Sequence, residues 1–347
     1  MTSIKKLIRN VIAYSLYLTG ILNLLLRIRL RKKALVLMYH RVLNEHEITN
    51  TYSHPGIFVG RDSFERHIKY IKKHFNPVTL DQFVSHLENQ MPFPDITCLI
   101  TFDDGWKDNF TNAFPILQKY QVPAVIFLTT NYIGAEKNFW QETLSSLLFE
   151  LHRQCMTDEN KATDALTVQY QGLKKLISCR KSELKETISN LVAAQKERPM
   201  EETGLLVDRL IKFLAPSSEI PENQGAFLTW DEIREMDSNG IKFGSHGNNH
   251  KILVNLQAKE TREEIRGSKE RLEIALKEPV EAFSYPNGDY NDQVVSHVSD
   301  SGYKIAFGTN PAYICAEADR YQLGRINIHE DMTRNIPMFV SRIALLW

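Results

Sequence analysis

The sequence predicts an α/β protein built on a mainly parallel sheet. Three observations predict it: short apolar runs recur along the chain, helical periodicity separates several of them, and polar groups suited to catalysis stand where the runs end. The expected strands are 34–40, 97–102, 124–129, 242–245, 282–285 and 304–308, with a last one near 325–328. Segments 61–74 and 109–120 read as intervening helices. Such an alternation closes into a barrel or stays open, and in both forms active sites gather at the carboxyl ends of strands. His40, Asp103, Asp104, His246 and the turn Pro286-Asn287-Gly288 stand there.

The first 33 residues follow a different pattern. Residues 11–26 carry no charge, between Lys5, Lys6, Arg9 and the basic cluster Arg27, Arg29, Arg31, Lys32, Lys33. The run is shorter than the span of about 20 apolar residues that crosses a bilayer. No small-residue cleavage site follows it, which disfavours a removed signal peptide. Three readings stay open: an interfacial anchor, a spanning helix, or a helix packed on the soluble domain. The expectation is a membrane-associated hydrophobic helix within 1–33, preceding a catalytic domain over 34–347. If the helix spans, the heavier basic flank on its C-terminal side would keep that domain on the cytoplasmic face.

Between residues 141 and 223 the alternation stops. Leu144, Leu147, Leu148 and Leu151 follow helical spacing, as do Leu184, Ile188 and Leu191, and then Leu206, Leu210, Phe213 and Leu214. This reads as a helical insertion, a packed cap that ends in the polar stretch 216–225. Thr229 and Glu232 then form a capping box, opening a short helix that Ser238-Asn239-Gly240 ends.

The bulk numbers exclude several classes. Lys and Arg number 42 and Asp and Glu number 42, for a formal net charge of +0. A nucleic-acid binder would show a basic domain, so no nucleic-acid partner is expected. Cys98, Cys155, Cys179 and Cys315 are scattered without short paired spacing, which argues against a zinc ribbon or a disulfide framework.

Two motifs carry chemistry. Thr101-Phe102-Asp103-Asp104-Gly105 ends an apolar run with adjacent carboxylates. Like charges this close require a cation or a shifted pKa. The second motif, Ser245-His246-Gly247-Asn248-Asn249-His250, spaces two imidazoles four apart, as on one turn of helix, a common spacing for a shared metal. Asp104, His246 and His250 would form a site with positions left for water and substrate. The donor set suits a divalent metal, zinc first, with cobalt, nickel or ferrous iron also compatible.

These motifs, together with the later Pro286-Asn287-Gly288, resemble the polysaccharide deacetylases, the chitooligosaccharide deacetylase homology domain. The resemblance runs from about residue 34 to 328 and implies a distorted, incomplete (β/α) barrel. It further implies that Asp103 is the general base and that Asp104, His246 and His250 hold the metal. The third motif departs from the family pattern. Ser284 stands where an Arg is usual and Asn287 where an aromatic is usual. Arg325 is the expected substitute for the missing positive charge beside Asp103, and the backbone N–H of Asn287 remains a candidate oxyanion donor. Leu37-Met38-Tyr39-His40-Arg41-Val42 resembles the poly-N-acetylglucosamine deacetylase branch, whose general acid lies near the start of the domain. His40 is therefore the expected acid, with His329 in reserve.

The expected activity is metal-dependent removal of N-acetyl groups from a cell-envelope amino-sugar polysaccharide or a lipid-linked glycan. The expected partners are that glycan and the membrane surface. Rivals are a deformylase or O-deacetylase on a lipid-linked sugar, a glycosidase, and an inactive sugar-binding relic of the fold. Adjacent carboxylates suit a glycosidase poorly, because its pair must stand about 5 Å or more apart across the sugar. Trp106, Trp140 and Trp230 are candidate sugar-stacking walls, Trp106 foremost.

Overall fold

The carboxyl ends of parallel strands form one edge of a nine-stranded sheet, and most of the suspected residues follow directly from that edge. The computed structural model describes residues 3–157, 171–180, 183–196, 198, 200–214 and 226–346. The strands are β1 (Ala34–Tyr39), β2 (Arg41–Leu43), β3 (Phe58–Gly60), β4 (Asn76–Pro77), β5 (Thr97–Phe102), β6 (Val125–Leu128), β7 (Lys242–Ser245), β8 (Ala282–Ser284), β9 (Ile305–Phe307), β10 (Tyr313–Ile314) and β11 (Ile326–Asn327). The main sheet runs β10-β1-β5-β6-β7-β8-β9, with β11 on β1 and β4 on β5. Only β10 runs antiparallel to its neighbour. β2 and β3 form a separate two-stranded parallel sheet that the sequence reading missed, because three-residue strands carry too little pattern.

The sheet curls into a distorted barrel, and residues 323–327 join its two edges. Leu323 bridges Phe307 of β9, while Ile326 and Asn327 pair with Leu37 and Met38 of β1. Alternation along the strands sorts two apolar layers. Leu35, Leu37, Ile100, Phe102, Ile126 and Leu128 pack outward among the helices. Val36, Leu99, Val125, Phe127, Ile305 and Phe307 fill the inside. Strand runs that are apolar on both faces, as in β1 and β5, are what a sheet covered on both sides demands.

Register aligns the site. Tyr39 pairs with Phe102, Leu128 with Ser245, and Ser284 with Phe307, so His40, Asp103, His246 and Tyr285 follow in a row at the rim. Gly105 makes the turn beyond Asp104 at φ +78, and a Cβ there would lie 2.7 Å from Leu128 Cδ2. Asp104 itself adopts φ +77, an uncommon conformation for a non-glycine residue that turns its carboxylate off the strand path.

The N-terminal segment forms two helices, not one: α1 (Ser3–Leu18) and α2 (Ile21–Arg29). Gly20, at φ +76, ends the first. The pair is bent by 79°, and among the described residues no single helix is long and apolar enough to cross a membrane. Leu22, Leu26 and Leu30 join the same core as Phe339, Val340 and Ile343 of the helix Ile336–Leu345.

The helical insertion is a compact unit of its own, Glu136–Gln224 with Asn50–His54. Its helices Trp140–Thr157, Gln171–Ser178, Leu184–Gln195 and Met200–Leu214 bury Leu144, Leu148, Leu151, Ile188, Leu206 and Leu210, the residues whose spacing predicted them. The polar stretch 216–225 lies outside the described residues. In the main unit, the helix Trp230–Ser238 opens with the expected Thr229–Glu232 capping box.

Candidate active site

The interior alternation that places Leu99 inside the barrel also points Thr101 and Asp103 inward. Asp103 is buried and meets Arg325 in a two-pronged ion pair, with Nη1 donating to Oδ1 at 2.7 Å and Nη2 to Oδ2 at 2.7 Å. Arg325 is wholly buried, and its remaining donors are satisfied by Gly308 O (3.0 Å), Thr101 Oγ1 (3.2 Å) and Ser284 Oγ (2.8 Å). Phe127 and Phe307 lie under the guanidinium, at 5.5 and 5.7 Å. The positive charge missing from position 284 therefore stands beside Asp103 from another strand. Ser284, which sequence reasoning marked only as a gap, donates from Oγ to Asp103 Oδ2 at 3.3 Å and accepts from Arg325. A small hydroxyl at 284 leaves room for a guanidinium arriving from residue 325.

Burial pushes the Asp103 carboxyl up, but the charges of Arg325 and His246 and the Arg325 hydrogen bonds outweigh it, so its pKa lies below the ordinary value. Oδ2 accepts two hydrogen bonds and Oδ1 accepts one among the described residues. That leaves a lone pair on Oδ1 able to take a proton.

Asp104 faces the other way. Trp106 Nε1 donates to its Oδ2 at 2.8 Å, while Oδ1 lies 3.5 Å from His246 Nε2 and 3.3 Å from His250 Nε2. Oδ1 is buried without a hydrogen-bond partner among the described residues. Burial opposes its charge, yet His250 and its neighbours hold the carboxyl well below the usual carboxylate range. His246 donates from Nδ1 to the Ser284 carbonyl at 2.7 Å, which fixes the tautomer and leaves the Nε2 lone pair toward Asp104. Burial holds the His246 pKa down to about 4, so the ring is neutral at pH 7 and able to act as a ligand.

The ligand atoms of Asp104, His246 and His250 all lie within 4.8 Å of one another. An orphaned carboxylate oxygen, two imidazole nitrogens and a fixed tautomer fit a divalent metal with nitrogen and oxygen ligands. The two histidines do not share a helical turn, contrary to their spacing. They sit in a loop with Gly247 at φ +79 and His250 at φ +55, and the N–H groups of Asn248 and Asn249 donate to buried Glu264 Oε2 at 2.9 and 2.8 Å. Glu264 holds the loop, a role with no signal in the local sequence.

His40 follows β1 as Asp103 follows β5, near enough for its charge to act on both carboxylates. Its Nδ1 is buried without a hydrogen-bond partner among the described residues, and Asn109 Nδ2 holds its carbonyl at 2.8 Å. Half-buried His329 stands two residues past Asn327 as His40 stands two past Met38, its partner in β1. Asn287 sits in the turn after β8 at φ +61, exposed, its Nδ2 donating to Asp289 Oδ2 at 2.6 Å.

The tryptophans are not open platforms. Trp106 is 2% exposed, stacked on Phe227 at 4.7 Å and covered by Arg41 at 4.4 Å. Arg41 is held in turn by buried Asp108, 2.8 Å from its Nε. Trp230 packs against the main core and Trp140 against the core of the insertion.

Comparison with known proteins shows the family of the chain. The polysaccharide deacetylase family model matches residues 90–174 and 181–306, and the chain belongs to that family. It is 28% identical over 230 residues to a poly-beta-1,6-N-acetyl-D-glucosamine N-deacetylase of Staphylococcus epidermidis, covering 62% of this chain and 72% of that protein. The fold is similar to that of the Streptococcus pyogenes deacetylase PplD, solved with acetate, at TM-score 0.57 and 19% identity over 90% of this chain and 98% of that one. It is likewise similar to IcaB from Ammonifex degensii, at TM-score 0.57 and 16% identity over 90% and 97%.

Proposed function

We propose that the protein hydrolyses N-acetyl groups of an amino-sugar polysaccharide or lipid-linked glycan, releasing acetate and a free sugar amine. The observation that carries this is the division between two adjacent carboxylates, Asp103 tied to Arg325 and Asp104 turned to two histidines. The relative that acts on poly-N-acetylglucosamine, by its name, supports the substrate class.

A divalent cation, zinc by the donor set, would be held by Asp104, His246 and His250 and would supply Lewis acidity toward the acetyl carbonyl and water. Asp103 takes a proton from the attacking water at Oδ1, while Arg325 and Ser284 fix its orientation. The Asn287 N–H is the proposed donor to the charge developing on the carbonyl oxygen. His40 gives a proton to the departing amine as the carbon–nitrogen bond breaks, and its reserve is His329.

The test is acetate release from N-acetylglucosamine oligomers and from lipid-linked N-acetyl sugars, wild type beside Asp103→Asn. Release by the wild type, with a loss on the order of 100-fold or more in the variant, is expected for a general base. Undiminished release by Asp103→Asn would remove the base, and no release from either substrate class would remove the reading.

A further inference from the structure

The first 33 residues contain eight basic side chains and no acidic one, although the charges of the whole chain balance to +0. Their two helices also hold an outward apolar face. Ile8 (54% exposed), Val11 (58%) and Leu18 (80%) recur along one side of α1, and Ile21 (43%), Leu24 (59%) and Ile28 (62%) along one side of α2. Elsewhere among the described residues exposed large apolar side chains are scattered singly: Met91, Met156, Leu205 and Ile274. The opposite sides are already occupied, with Ala13, Leu22 and Leu26 buried toward the body of the main unit. Arg9 ties α1 down by donating to the Asp331 carbonyl at 2.9 Å, and Arg29 ties α2 to the Ala344 carbonyl at 2.6 Å.

Beside α2 lies a cavity of about 360 Å³, lined by Asn23, Leu24, Arg27, Tyr70, His74 and Ile96. Tyr70 donates to Asn23 Oδ1 at 2.8 Å inside it and stacks on His74 at 4.3 Å. Arg27 and His74 line it, both exposed, and exposed Lys73 is near enough for its charge to act on His74. The exposed run Arg31, Lys32 and Lys33 continues the same basic margin.

We propose that α1 and α2 form an in-plane docking surface for an anionic phospholipid bilayer. Ile8, Val11, Leu18, Leu24 and Ile28 enter the headgroup–acyl boundary, and the cavity between Arg27 and His74 receives a lipid phosphate. Both halves of the argument are needed. The apolar face supplies area that water disfavours, and the basic margin, in which Asp95 accepts from the Lys32 N–H at 3.0 Å but basic groups outnumber it, selects a negative surface. Together the two helices are long and apolar enough for a broken span, but their inner sides are packed into the core, so the bent pair lies on the bilayer along the body.

The test uses the full chain in sedimentation with phosphatidylcholine vesicles, with and without about one third phosphatidylglycerol. Binding is expected to be at least tenfold tighter to the anionic vesicles and to weaken with added salt. Leu18→Ser/Leu24→Ser/Ile28→Ser is expected to lose binding to both vesicles by tenfold or more. Arg31→Glu/Lys32→Glu/Lys33→Glu and Arg27→Ala are expected to lose the anionic preference alone. Unchanged thermal unfolding midpoints show that these surface variants fold, independently of any deacetylase assay. Wild-type binding by the apolar variant overturns the proposal. So does concentration-dependent self-association that the apolar variant abolishes, without vesicle binding, which would make the face a contact between copies.

Discussion

Trp106 donates its indole N–H to Asp104 Oδ2 at 2.8 Å, and this one bond decides which carboxylate oxygen faces the two histidines. The ring that makes it is fixed between Phe227 and Arg41. The residue that looked like a sugar platform in the sequence holds Asp104, the proposed metal ligand, through its N–H. Trp106→Phe keeps the stacking and deletes the donor. Zinc affinity measured by competition with a chelator is expected to fall by about 10- to 100-fold, the usual cost of losing a partner behind a metal ligand. Chelation of the wild type is expected to abolish acetate release, and zinc or cobalt to restore it.

Arg325 and Asp103 are both buried, so their pairing affects stability and chemistry together. Removing one member of such a pair costs about 3–5 kcal/mol, because the partner's charge stays in low dielectric. Arg325→Ala is expected to lower the unfolding midpoint accordingly. It also removes the strongest opposition to burial on Asp103, so the carboxyl pKa rises and the acid limb of kcat/KM moves to higher pH. Arg325→Lys keeps the charge without the fork, and is expected to recover the limb in part but not kcat. A pH profile of the three proteins checks this.

His40 and His329 occupy matching places past neighbouring strands, and only kinetics separates their roles. His40→Ala is expected to lower kcat by about 100-fold or more and to flatten the alkaline limb, where an acid must stay protonated. His329→Ala is expected to leave that limb in place. The reverse result would exchange the two assignments.

His67 tests the core. It lies wholly buried, with Nε2 donating to the Thr333 carbonyl at 2.6 Å and Nδ1 3.3 Å from the Tyr39 hydroxyl. Burial lowers its pKa to about 3. The unfolded chain binds this proton near pH 6.5 and the folded one does not, so the contribution is complete above 6.5 and is lost as pH falls toward 3. The expected slope is up to about 1.4 kcal/mol per pH unit in that window. Urea unfolding at pH 7.5, 6 and 5 is expected to show the decline in the wild type. His67→Gln, which cannot charge, is expected to be less stable at pH 7.5 but less steep.

The parallel strands were legible because sheets covered on both faces need unbroken apolar runs, and β1, β5 and β6 are such runs. The Asp pair and the two histidines were legible as motifs. Arg325 could be expected only because Ser284 left a charge unaccounted for. The local shape of the histidine loop was hidden because its hydrogen bonds go to Glu264, 14 positions beyond His250, and spacing alone suggested a helical turn. The helix break at Gly20 was masked by the apolar residues on both sides. Trp106 was read for its ring, and spacing gave no sign that its N–H would hold Asp104 Oδ2.

The stretch that carries Arg325 is also the barrel's seam. Leu323 holds one edge, donating to the Ala306 carbonyl and accepting from the Gly308 N–H, and Ile326 and Asn327 pair with the other. Segments with the fewest ladder bonds open first in native-state fluctuations. An opening confined to this seam would withdraw the guanidinium from Asp103 and leave the rest of the sheet paired. The enzyme would then lose its tuned base before it loses its fold, and amide exchange at 323–327 becomes a direct measure of how much of the population is catalytically competent.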